Sequence, residues 1–153
     1  MGHQLFAVAA EAFDHEDAVR LRAAARIEVD GLYGEPADHG RPLTAANAAA
    51  HVVARDAGGT ALGSGALTAA GDGVFELRRV FVRSDWRGRG VGDALVRELL
   101  TQAVELQAPA VVAEIGPLQP HAAGLLVRNG FGRIRTFGPY AQNPTSLCFS
   151  RPL

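Results

Sequence analysis

The sequence predicts a mixed α/β (α+β) fold, in which an antiparallel meander of strands is followed by a βαβα unit. Three short apolar runs separated by glycine-containing turns predict the meander. The hydrophobic period then lengthens from two residues to about four, which predicts an amphipathic helix. A continuously apolar strand and a second helical stretch follow, and this alternation is typical of parallel strand pairing.

The first half of the chain supplies one strand, one helix and the meander. An opening strand is expected at Leu5–Ala10, and a helix is expected from His15 to about Val29, where apolar residues recur at helical spacing. The Gly- and Pro-rich stretch 30–44 is predicted to be a loop, and a helical turn is expected around 45–49. The meander strands are expected at His51–Arg55, Ala61–Ala69 and Val74–Val82.

The second half alternates helix and strand. Apolar residues recur at every fourth position of 91–103, which predicts a helix that starts at about Gly90 and ends before Pro109. The next segments are the strand AVVAEI at 110–115 and the helix PHAAGLLVRN at 120–129, which Gly130 caps. The closing strands are expected in GRIRTF and SLCFS.

Composition and charge argue against several classes of protein. The net charge is -1, whereas general nucleic-acid binding needs a basic face. No apolar run approaches the ~18 residues of a membrane span, and the first residues lack the cationic head and cleavage pattern of a signal peptide. The single cysteine, Cys148, excludes an internal disulfide and suits a reducing cytoplasm. We therefore expect a single cytoplasmic domain over 1–153.

The string RGRGVG, at 87–92, stands where the last strand of the meander leads into the long helix. The first turn of a helix has backbone N–H groups without internal partners, and with the aligned peptide dipoles these groups favour an anion. Gly88, Gly90 and Gly92 remove the Cβ atoms that would keep a phosphate away from the backbone. Arg87 and Arg89 add charge that can bond phosphate oxygens. The local chemistry therefore predicts a diphosphate site.

Two familiar phosphate loops do not fit this turn. A Walker loop ends in Gly-Lys-Ser/Thr, and Val91-Gly92-Asp93 has neither the lysine nor the hydroxyl. A dinucleotide-binding turn has the spacing G-x-G-x-x-G after an opening strand, whereas this chain has G-x-G-x-G after a meander. A glycine-rich turn can also serve only close packing, but the arginines, the preceding strand and the following helix together favour the anion site.

Arg87-x-x-Gly90-x-Gly92, and QPHAAGLLVRNGF at 119–131, resemble two motifs of the GCN5-related N-acetyltransferase (GNAT) superfamily, Q/R-x-x-G-x-G/A and N-x-x-A-x-x-x-Y-x-x-x-G-F. The resemblance covers about residues 50–153, and the tail FGPYAQNPTSLCFSRPL resembles a bacterial subgroup of acetyltransferases. It implies an acyl-CoA N-acyltransferase fold, acetyl-CoA as co-substrate without a metal, and an amine acceptor on a small molecule or peptide. Homodimers are common in the family.

The resemblance also implies where coenzyme A lies. In the family, the pyrophosphate sits on the backbone amides of this turn, and the pantetheine arm bonds the main chain at the end of the preceding strand. That strand and the next one splay apart to admit the arm, and a strand amide near 80–82 holds the acetyl oxygen. Gln119 replaces the family's asparagine. The residues implied in coenzyme A binding are Val80, Phe81, Val82, Arg87, Gly88, Arg89, Gly90, Val91, Gly92 and Gln119.

Acetyl transfer to an amine needs a base for the amine, N–H donors for the oxyanion and a stabilised or protonated leaving thiolate. Glu76 matches the position of the general-base glutamate of histone-type members, and a carboxylate among apolar residues can have a raised pKa. Its alternative is an exposed strand glutamate opposite Arg78 or Arg79. Leu126 stands where many relatives have the tyrosine acid. Tyr140 is the candidate replacement, and its alternative is a loop tyrosine packed on the acceptor channel.

Weaker candidates lie elsewhere in the chain. Tyr33, His39 and Arg41 occupy the early loop that closes over the acceptor in relatives, so Tyr33 and Arg41 are candidate acceptor-binding residues, with solvated loop positions as the alternative. His51 is too isolated to predict a metal site. Cys148 alternates with strand residues, which favours a buried structural thiol.

Three functions remain open from the sequence. The first is an N-acetyltransferase that moves an acetyl group directly from acetyl-CoA to a primary amine. The second is a non-catalytic acyl-CoA sensor or interaction module, which Leu126 at the acid position motivates. The third is an unrelated phosphate-binding α/β domain.

Overall fold

The computed structural model describes residues 5–34 and 40–153. Within them, seven strands and three α-helices alternate as the sequence pattern predicts. Single 3-10 turns at Ser84–Trp86 and Gly138–Tyr140 precede α2 and β7. In chain order the elements are β1 (Phe6–Ala10), α1 (Glu16–Tyr33), β2 (Ala48–Asp56), β3 (Ala61–Gly71), β4 (Val74–Val82), α2 (Val91–Glu105), β5 (Ala110–Ile115), α3 (Pro120–Arg128), β6 (Gly132–Ile134) and β7 (Leu147–Pro152).

The strands of the described residues form one mixed sheet in the order β1-β2-β3-β4-β5-β7-β6. The first four strands are antiparallel neighbours, which is the predicted meander. β4 and β5 are parallel, with α2 between them in the chain, and β7 inserts antiparallel between β5 and β6. The predicted α/β fold class is therefore confirmed.

The main core lies between α2 and the face of the sheet that it covers. Leu95 and Leu99 of α2 are fully buried there, together with Leu62, Leu67 and Val111 of the strands. Burying each such side chain contributes about 1.5–3 kcal/mol. The helix can lie close to the sheet because β3 carries small residues. A Cβ at Gly65, for example, would come within 3.0 Å of Leu99 Cδ1.

Helix α1 is longer than the sequence predicts. The expected end was about Val29, but the helix continues to Tyr33. Gly31 reads as a helix breaker in the sequence, yet it is tolerated inside the helix at a modest cost. The C-terminal cap is Gly34, whose φ of 72° is left-handed and whose N–H donates to the Asp30 carbonyl at 2.8 Å. The extra turn brings Tyr33 into the candidate site.

An ion-pair cluster fastens the start of α1 to the first strands. Arg55 of β2 donates to both Glu11 carboxylate oxygens at 2.7 and 2.8 Å, and to Asp17 of α1 at 2.9 Å. The side chains are about one quarter exposed: 24% for Arg55, 22% for Glu11 and 27% for Asp17. The bidentate geometry makes this cluster stronger than a single surface pair.

Two smaller sequence predictions hold only in part. A helical turn was expected around 45–49, and the N–H groups of Asn47 and Ala48 do donate to the Thr44 carbonyl, but β2 already begins at Ala48, which pairs with Thr68 of β3. β6 ends at Ile134, so GRIRTF is a strand only in its first half. The chain then leaves the sheet for the 3-10 turn that carries Tyr140. None of the described helices is both long and apolar enough to cross a membrane.

Candidate active site between β4 and β5

The site is built around a gap in the middle of the sheet. Within the described residues, β4 and β5 pair only at Phe75 with Val111 and at Glu76 with Val112. Both strands continue past this point, β4 as far as Val82 and β5 as far as Ile115. The expected splaying of the two strands is therefore confirmed, and Glu76 stands at the closed end of the gap.

A β-bulge redirects β4 just beyond Glu76. Arg79 has a φ of 58°, and the register of β4 against β3 shifts between the pairs Ala66–Arg78 and Ser64–Phe81. As a result, Leu77 and Val80 both contact the core, although residues three apart in a regular strand point to opposite faces. The bulge therefore sets the direction of the backbone at 80–82, where the resemblance implies that coenzyme A binds.

The glycine-rich turn has the backbone geometry of an open helix N-terminus. Gly90 is the N-cap of α2 with a φ of 86°, Gly88 has a φ of 76°, and no side chain of the described residues caps the helix. A Cβ at Gly88 or Gly90 would meet no other atom within 4 Å, so the backbone conformation, not crowding, favours glycine there. At Gly92 a Cβ would touch Leu125, which limits this position to small residues.

The two arginines of the turn have different surroundings. Arg87 donates through Nε to the Val82 carbonyl at 3.0 Å, and through Nη2 to both carboxylate oxygens of Glu28 on α1 at 2.8 and 2.9 Å. Arg89 lies over the indole ring of Trp86, 4.7 Å from its centroid. The Arg87 side chain is thus engaged by α1, a contact that the sequence does not indicate.

Gln119 organises the loop that follows β5. Its side-chain oxygen accepts from the Gly116 N–H at 3.0 Å, and it is the N-cap residue of α3, with Pro120 in the first helical position. Leu126, at the position of the family's tyrosine, is buried in the core. Its side chain therefore packs between α3 and the sheet.

The two catalytic candidates are brought into direct contact. The Tyr140 hydroxyl donates to Glu76 Oε2 at 2.6 Å, although the residues are 64 positions apart in the chain. Glu76 is 6% exposed and Tyr140 is 2% exposed, so the alternative of an exposed strand glutamate is wrong. Burial and the Glu76 carboxylate raise the pKa of Tyr140, which keeps this hydroxyl protonated as a donor.

Arg78 completes this buried cluster. Its side chain is on the same face of β4 as Glu76, two residues earlier, and its Nε lies 3.8 Å from Glu76 Oε2. Its Nη2 donates to the Arg41 carbonyl at 2.8 Å. The sequence offers Arg78 only as a surface partner of Glu76, whereas the structure buries it to 6% exposure. The alternation of the strand was the signal that could have found it.

Gly40 and Arg41 lie over the cluster. A Cβ at Gly40 would lie 2.5 Å from the Tyr140 hydroxyl and 3.0 Å from Arg78 Nη2, so Gly40 packs directly on both. Arg41 contributes its carbonyl there, while its side chain is exposed. The candidate His39 lies outside the described residues.

Tyr33 reaches the opposite side of the gap. Its hydroxyl accepts from the Leu118 N–H at 3.0 Å, and a Cβ added at Gly116 would clash with this hydroxyl. Tyr33 therefore contacts the loop after β5, while the Arg41 carbonyl contacts the Arg78 side chain of β4. The two candidate acceptor residues lie at the same gap but on different walls.

Further polar groups lie on this side of the sheet. Glu114 of β5 accepts from the Ser146 hydroxyl at 2.8 Å, and no sequence motif indicated this pair. Cys148 is fully buried, as expected, and burial raises the pKa of its thiol. His51 is buried against the Glu11 carbonyl, 2.9 Å from Nδ1. Among residues 5–34 and 40–153, no three potential metal ligands come together.

Solved structures of similar shape support the fold. The chain superposes on a Klebsiella pneumoniae protein provisionally named as an acyl-CoA N-acyltransferase with a TM-score of 0.85, covering 99% of each chain at 24% identity. It also superposes on a GCN5-related N-acetyltransferase from Kribbella flavida with a TM-score of 0.70, covering 97% of this chain and 98% of the other at 24% identity. At these identities the similarity shows the fold alone.

Curated relatives match a shorter part of the chain. An IAA acetyltransferase of Azospirillum brasilense is 32% identical over 96 residues, 62% of this chain and 63% of that protein. An uncharacterised N-acetyltransferase of Schizosaccharomyces pombe is 35% identical over 94 residues, 61% of this chain and 56% of that protein. The chain thus matches about three fifths of the length of these relatives.

The family model described as Acetyltransferase (GNAT) family matches residues 11–131. This range contains β4, the gap, the glycine-rich turn and α3, whereas Tyr140 of the candidate site lies beyond it. It also covers more than half of the chain, and the resemblance seen in the two sequence motifs agrees with it. The chain belongs to the GNAT acetyltransferase family.

Proposed function

We propose that the protein is an N-acetyltransferase that moves an acetyl group directly from acetyl-CoA to a primary amine of a small molecule or peptide. The observation that carries this proposal is the buried Glu76–Tyr140 hydrogen bond at the closed end of the β4–β5 gap. A thioester that enters the gap from the glycine-rich turn would meet this pair at its reactive end. The same pair provides a proton acceptor and a proton donor.

In the proposed first step, the amine nitrogen attacks the thioester carbonyl carbon. A C–N bond forms, and the amine proton passes to Glu76, directly or through water. A primary amine like that of lysine has a reference pKa of about 10.4, so it must lose a proton before it can attack at neutral pH. The oxyanion is met by backbone N–H groups of 80–82, where the bulge at Arg79 redirects the strand.

In the second step, the C–S bond breaks and the thiolate takes up a proton. While Glu76 is charged, its hydrogen bond helps to keep the pKa of Tyr140 high, and a tyrosine with a high pKa is a poor acid. Once Glu76 has accepted the amine proton, that charge is gone. Tyr140 can then donate to the thiolate while it receives the proton from Glu76. On the way from ammonium to amide the nitrogen gives up two protons: one reaches the thiolate through Glu76 and Tyr140, and the other is released to water.

Coenzyme A is held, in this proposal, by two kinds of backbone contact. The diphosphate binds the N-terminus of α2 at 87–92, where Gly88 and Gly90 adopt positive φ. The pantetheine arm bonds β4 at 80–82, in the place of a neighbouring strand. Gln119 shapes the facing loop through its bond to Gly116. Tyr33 and Arg41 belong to the walls against which the acceptor amine lies.

The setting of the protein is part of the proposal. We place it as one domain in a reducing cytoplasm, because its one cysteine is buried and cannot form an internal disulfide. The balanced charge favours a small-molecule or peptide acceptor over a polyanion.

A second candidate is a non-catalytic acyl-CoA sensor. Two observations favour it: Leu126 is a core residue at the family's acid position, and Gly40 packs over the Tyr140 hydroxyl. A sensor would bind acetyl-CoA tightly and leave the thioester intact.

The test is thiol release from acetyl-CoA with a panel of primary amines, together with calorimetry of coenzyme A binding. The proposal expects both binding and amine-dependent thiol release. Binding of acetyl-CoA without release for any amine would select the sensor. Binding of ATP without binding of coenzyme A would remove both and leave an unrelated phosphate-binding domain.

Substitution of Glu76 by glutamine tests the assigned base. We expect Glu76→Gln to lower kcat/KM by about 10²–10⁴, and most at low pH, where more of the amine carries the proton that Glu76 must remove. Coenzyme A affinity should change little, because the substituted atoms lie away from the glycine-rich turn.

Glu114→Gln is the matched control for this variant. Glu114 is a carboxylate of the neighbouring strand that bonds Ser146 and has no step assigned to it. Glu114→Gln should lose much less activity than Glu76→Gln. Equal rates for wild type and Glu76→Gln at every pH would take Glu76 out of the mechanism.

A further inference from the structure

The contacts of Arg87 point away from phosphate binding by its side chain. We infer that this guanidinium is a positioning group: together with Tyr33 it fastens the second half of α1 across the gap between β4 and β5, where α1 forms the wall behind the acceptor amine. This inference rests on the proposed function. It leaves the backbone amides of 87–92 as the diphosphate site.

The first fastening point is Arg87, in the turn that comes directly after β4. Arg87 is anchored by its bond to the Val82 carbonyl at 3.0 Å and by the Phe81 ring, whose centroid is 5.4 Å from the guanidinium carbon. From there Nη2 reaches both oxygens of Glu28 at 2.8 and 2.9 Å. All three partners lie on β4 or α1: Nε is directed to β4 and Nη2 to α1.

The second fastening point is the loop that comes directly after β5. Tyr33, five residues after Glu28 in the same helix, accepts from the Leu118 N–H at 3.0 Å. Gly116 lies so close to the Tyr33 hydroxyl that any side chain there would clash with it. The loop after β5 is therefore shaped to receive the end of α1.

The distance between these points is close to the width expected of a gap that holds one extended chain. Five helical residues span about 7.5 Å along the helix axis. A gap that admits one extended chain between two strands is about two strand spacings wide, roughly 9–10 Å. The side chains of Glu28 and Arg87 on one side, and of Tyr33 on the other, supply the remaining reach. The end of α1 thus bridges the opening and does not merely pack on one strand.

The Glu28–Arg87 pair is unsuited to a purely stabilising role. Both side chains are 43% exposed, and exposed pairs contribute little to folding stability. A small shift of the α1 wall, in contrast, would misplace the amine relative to the thioester, and misplacement of about an ångström can cost 10²-fold in rate. The effect of the pair should therefore appear in acceptor kinetics.

The test uses Arg87→Gln, because glutamine can still donate to the Val82 carbonyl but cannot form the ion pair. We expect coenzyme A affinity, measured by calorimetry at two salt concentrations, to stay within about threefold of wild type. We expect the acceptor kcat/KM to fall about tenfold or more. Glu28→Gln should have the same two effects, and the double variant should be no worse than either single variant.

Two further variants complete the design. Tyr33→Phe removes the second fastening point and should likewise lower the acceptor kcat/KM while coenzyme A affinity is kept. Arg89→Gln is the contrasting variant, since Arg89 stacks on Trp86 beside the turn and pairs with no residue of α1. It should weaken coenzyme A binding and reduce its salt dependence.

Changes in coenzyme A affinity of the following kind would overturn the inference. If Arg87→Gln weakens coenzyme A binding more than tenfold, or if Glu28→Gln tightens it, Arg87 is a phosphate ligand for which Glu28 competes. If the wild-type protein binds no coenzyme A, the proposed function fails instead. In that case, hydrogen exchange of the α1 backbone amides tests whether Arg87 fastens α1. If these amides are as well protected in Arg87→Gln and in Glu28→Gln as in wild type, Arg87 does not fasten the helix.

Discussion

At the scale of single residues, the central finding is the contact between Glu76 and Tyr140. Each residue is a separate candidate in the sequence, one from its place on a strand and one from its place in a loop. Their pairing depends on the segment after β6, which leaves the sheet and turns Tyr140 back over it. Such a contact between residues 64 positions apart has no local signal. The proposed mechanism uses the two residues as one hydrogen-bonded pair.

Tyr140→Phe tests this hydrogen bond through stability. The variant keeps the ring but leaves Glu76 without its hydroxyl donor, so we expect a loss of about 1–3 kcal/mol in the free energy of unfolding at neutral pH. Tyr33→Phe is the control, because its hydroxyl serves one backbone N–H at a half-buried position, and its loss should be smaller. Denaturant unfolding measures both. An unchanged stability of Tyr140→Phe would contradict the assigned contact.

The same residue predicts the direction of the alkaline pH dependence. The pKa of Tyr140 is raised above the usual value of about 10. The stability that comes from keeping it neutral is therefore complete below pH 10 and is lost as the pH rises toward the folded-state pKa. Wild type should lose stability above pH 10 more steeply than Tyr140→Phe.

Other single residues show where sequence reasoning stops. The positive φ of Arg79 makes the bulge in β4, but arginine has no preference for that conformation, so nothing in the sequence marks it. Glu28 lies on the exposed side of a helix and reads as a solvated charge until α1 is placed against the turn. Both depend on tertiary packing.

At the scale of elements, the turn between β4 and α2 is the part that the sequence predicts best. Its glycines, its arginines and the change of period all have local causes, and α2 begins at Val91, one residue from the expected start. The end of α1 was predicted less well, because Gly31 and Gly34 look alike in sequence and only Gly34 is the cap. Helix ends that are set by a glycine are difficult to place when a second glycine is near.

Gly90→Asp tests the turn as an anion site. We expect coenzyme A affinity to be abolished, because the variant puts a carboxylate and a Cβ at the N-terminus of α2. Gly59→Asp is a matched control: Gly59 has a φ of 89°, has no atom within 4 Å of a built Cβ, and lies in the β2–β3 turn. Calorimetry distinguishes them. Unchanged affinity in Gly90→Asp would move the diphosphate elsewhere.

The Arg55 cluster predicts how α1 responds to acid. Arg55 lowers the pKa of Glu11, mainly through its hydrogen bonds, and it does the same for Asp17 with help from Arg20. Groups with a lowered folded-state pKa stabilise the protein above their usual pKa of about 4, and this contribution is lost as the pH falls through the folded-state value. Wild type should therefore lose stability below about pH 4.

Arg55→Met should remove much of that acid-dependent stability. Its melting temperature is expected to be lower at pH 7 and to fall less between pH 5 and pH 2 than that of wild type. Arg83→Met is the control, since Arg83 pairs with Asp85 only two residues away and joins no separate elements. Identical acid profiles for wild type and Arg55→Met would show that the cluster does not link α1 to the strands.

At the scale of the whole molecule, the sequence predicts the topology because hydrophobic period and turn residues are local. The meander, the parallel β4–β5 pair and the order of helices follow from them. The walls of the site do not, since they come from the end of α1, the segment at Gly40–Arg41 and the turn at Tyr140, which meet only in three dimensions. The sequence therefore predicts the glycine-rich turn of the candidate site better than these walls.

The gap between β4 and β5 has a consequence for how rigidly the two halves of the sheet are held together. Between the β1–β4 half and the β5–β7–β6 half, the described residues of the sheet are joined by only two residue pairs. A ligand whose amides bond both β4 and β5 would complete the sheet as an extra strand does. The two halves of the sheet would then be held together more rigidly as the ligand concentration rises, by mass action. A co-substrate that is consumed in each turnover would thus also be a temporary structural part of the sheet.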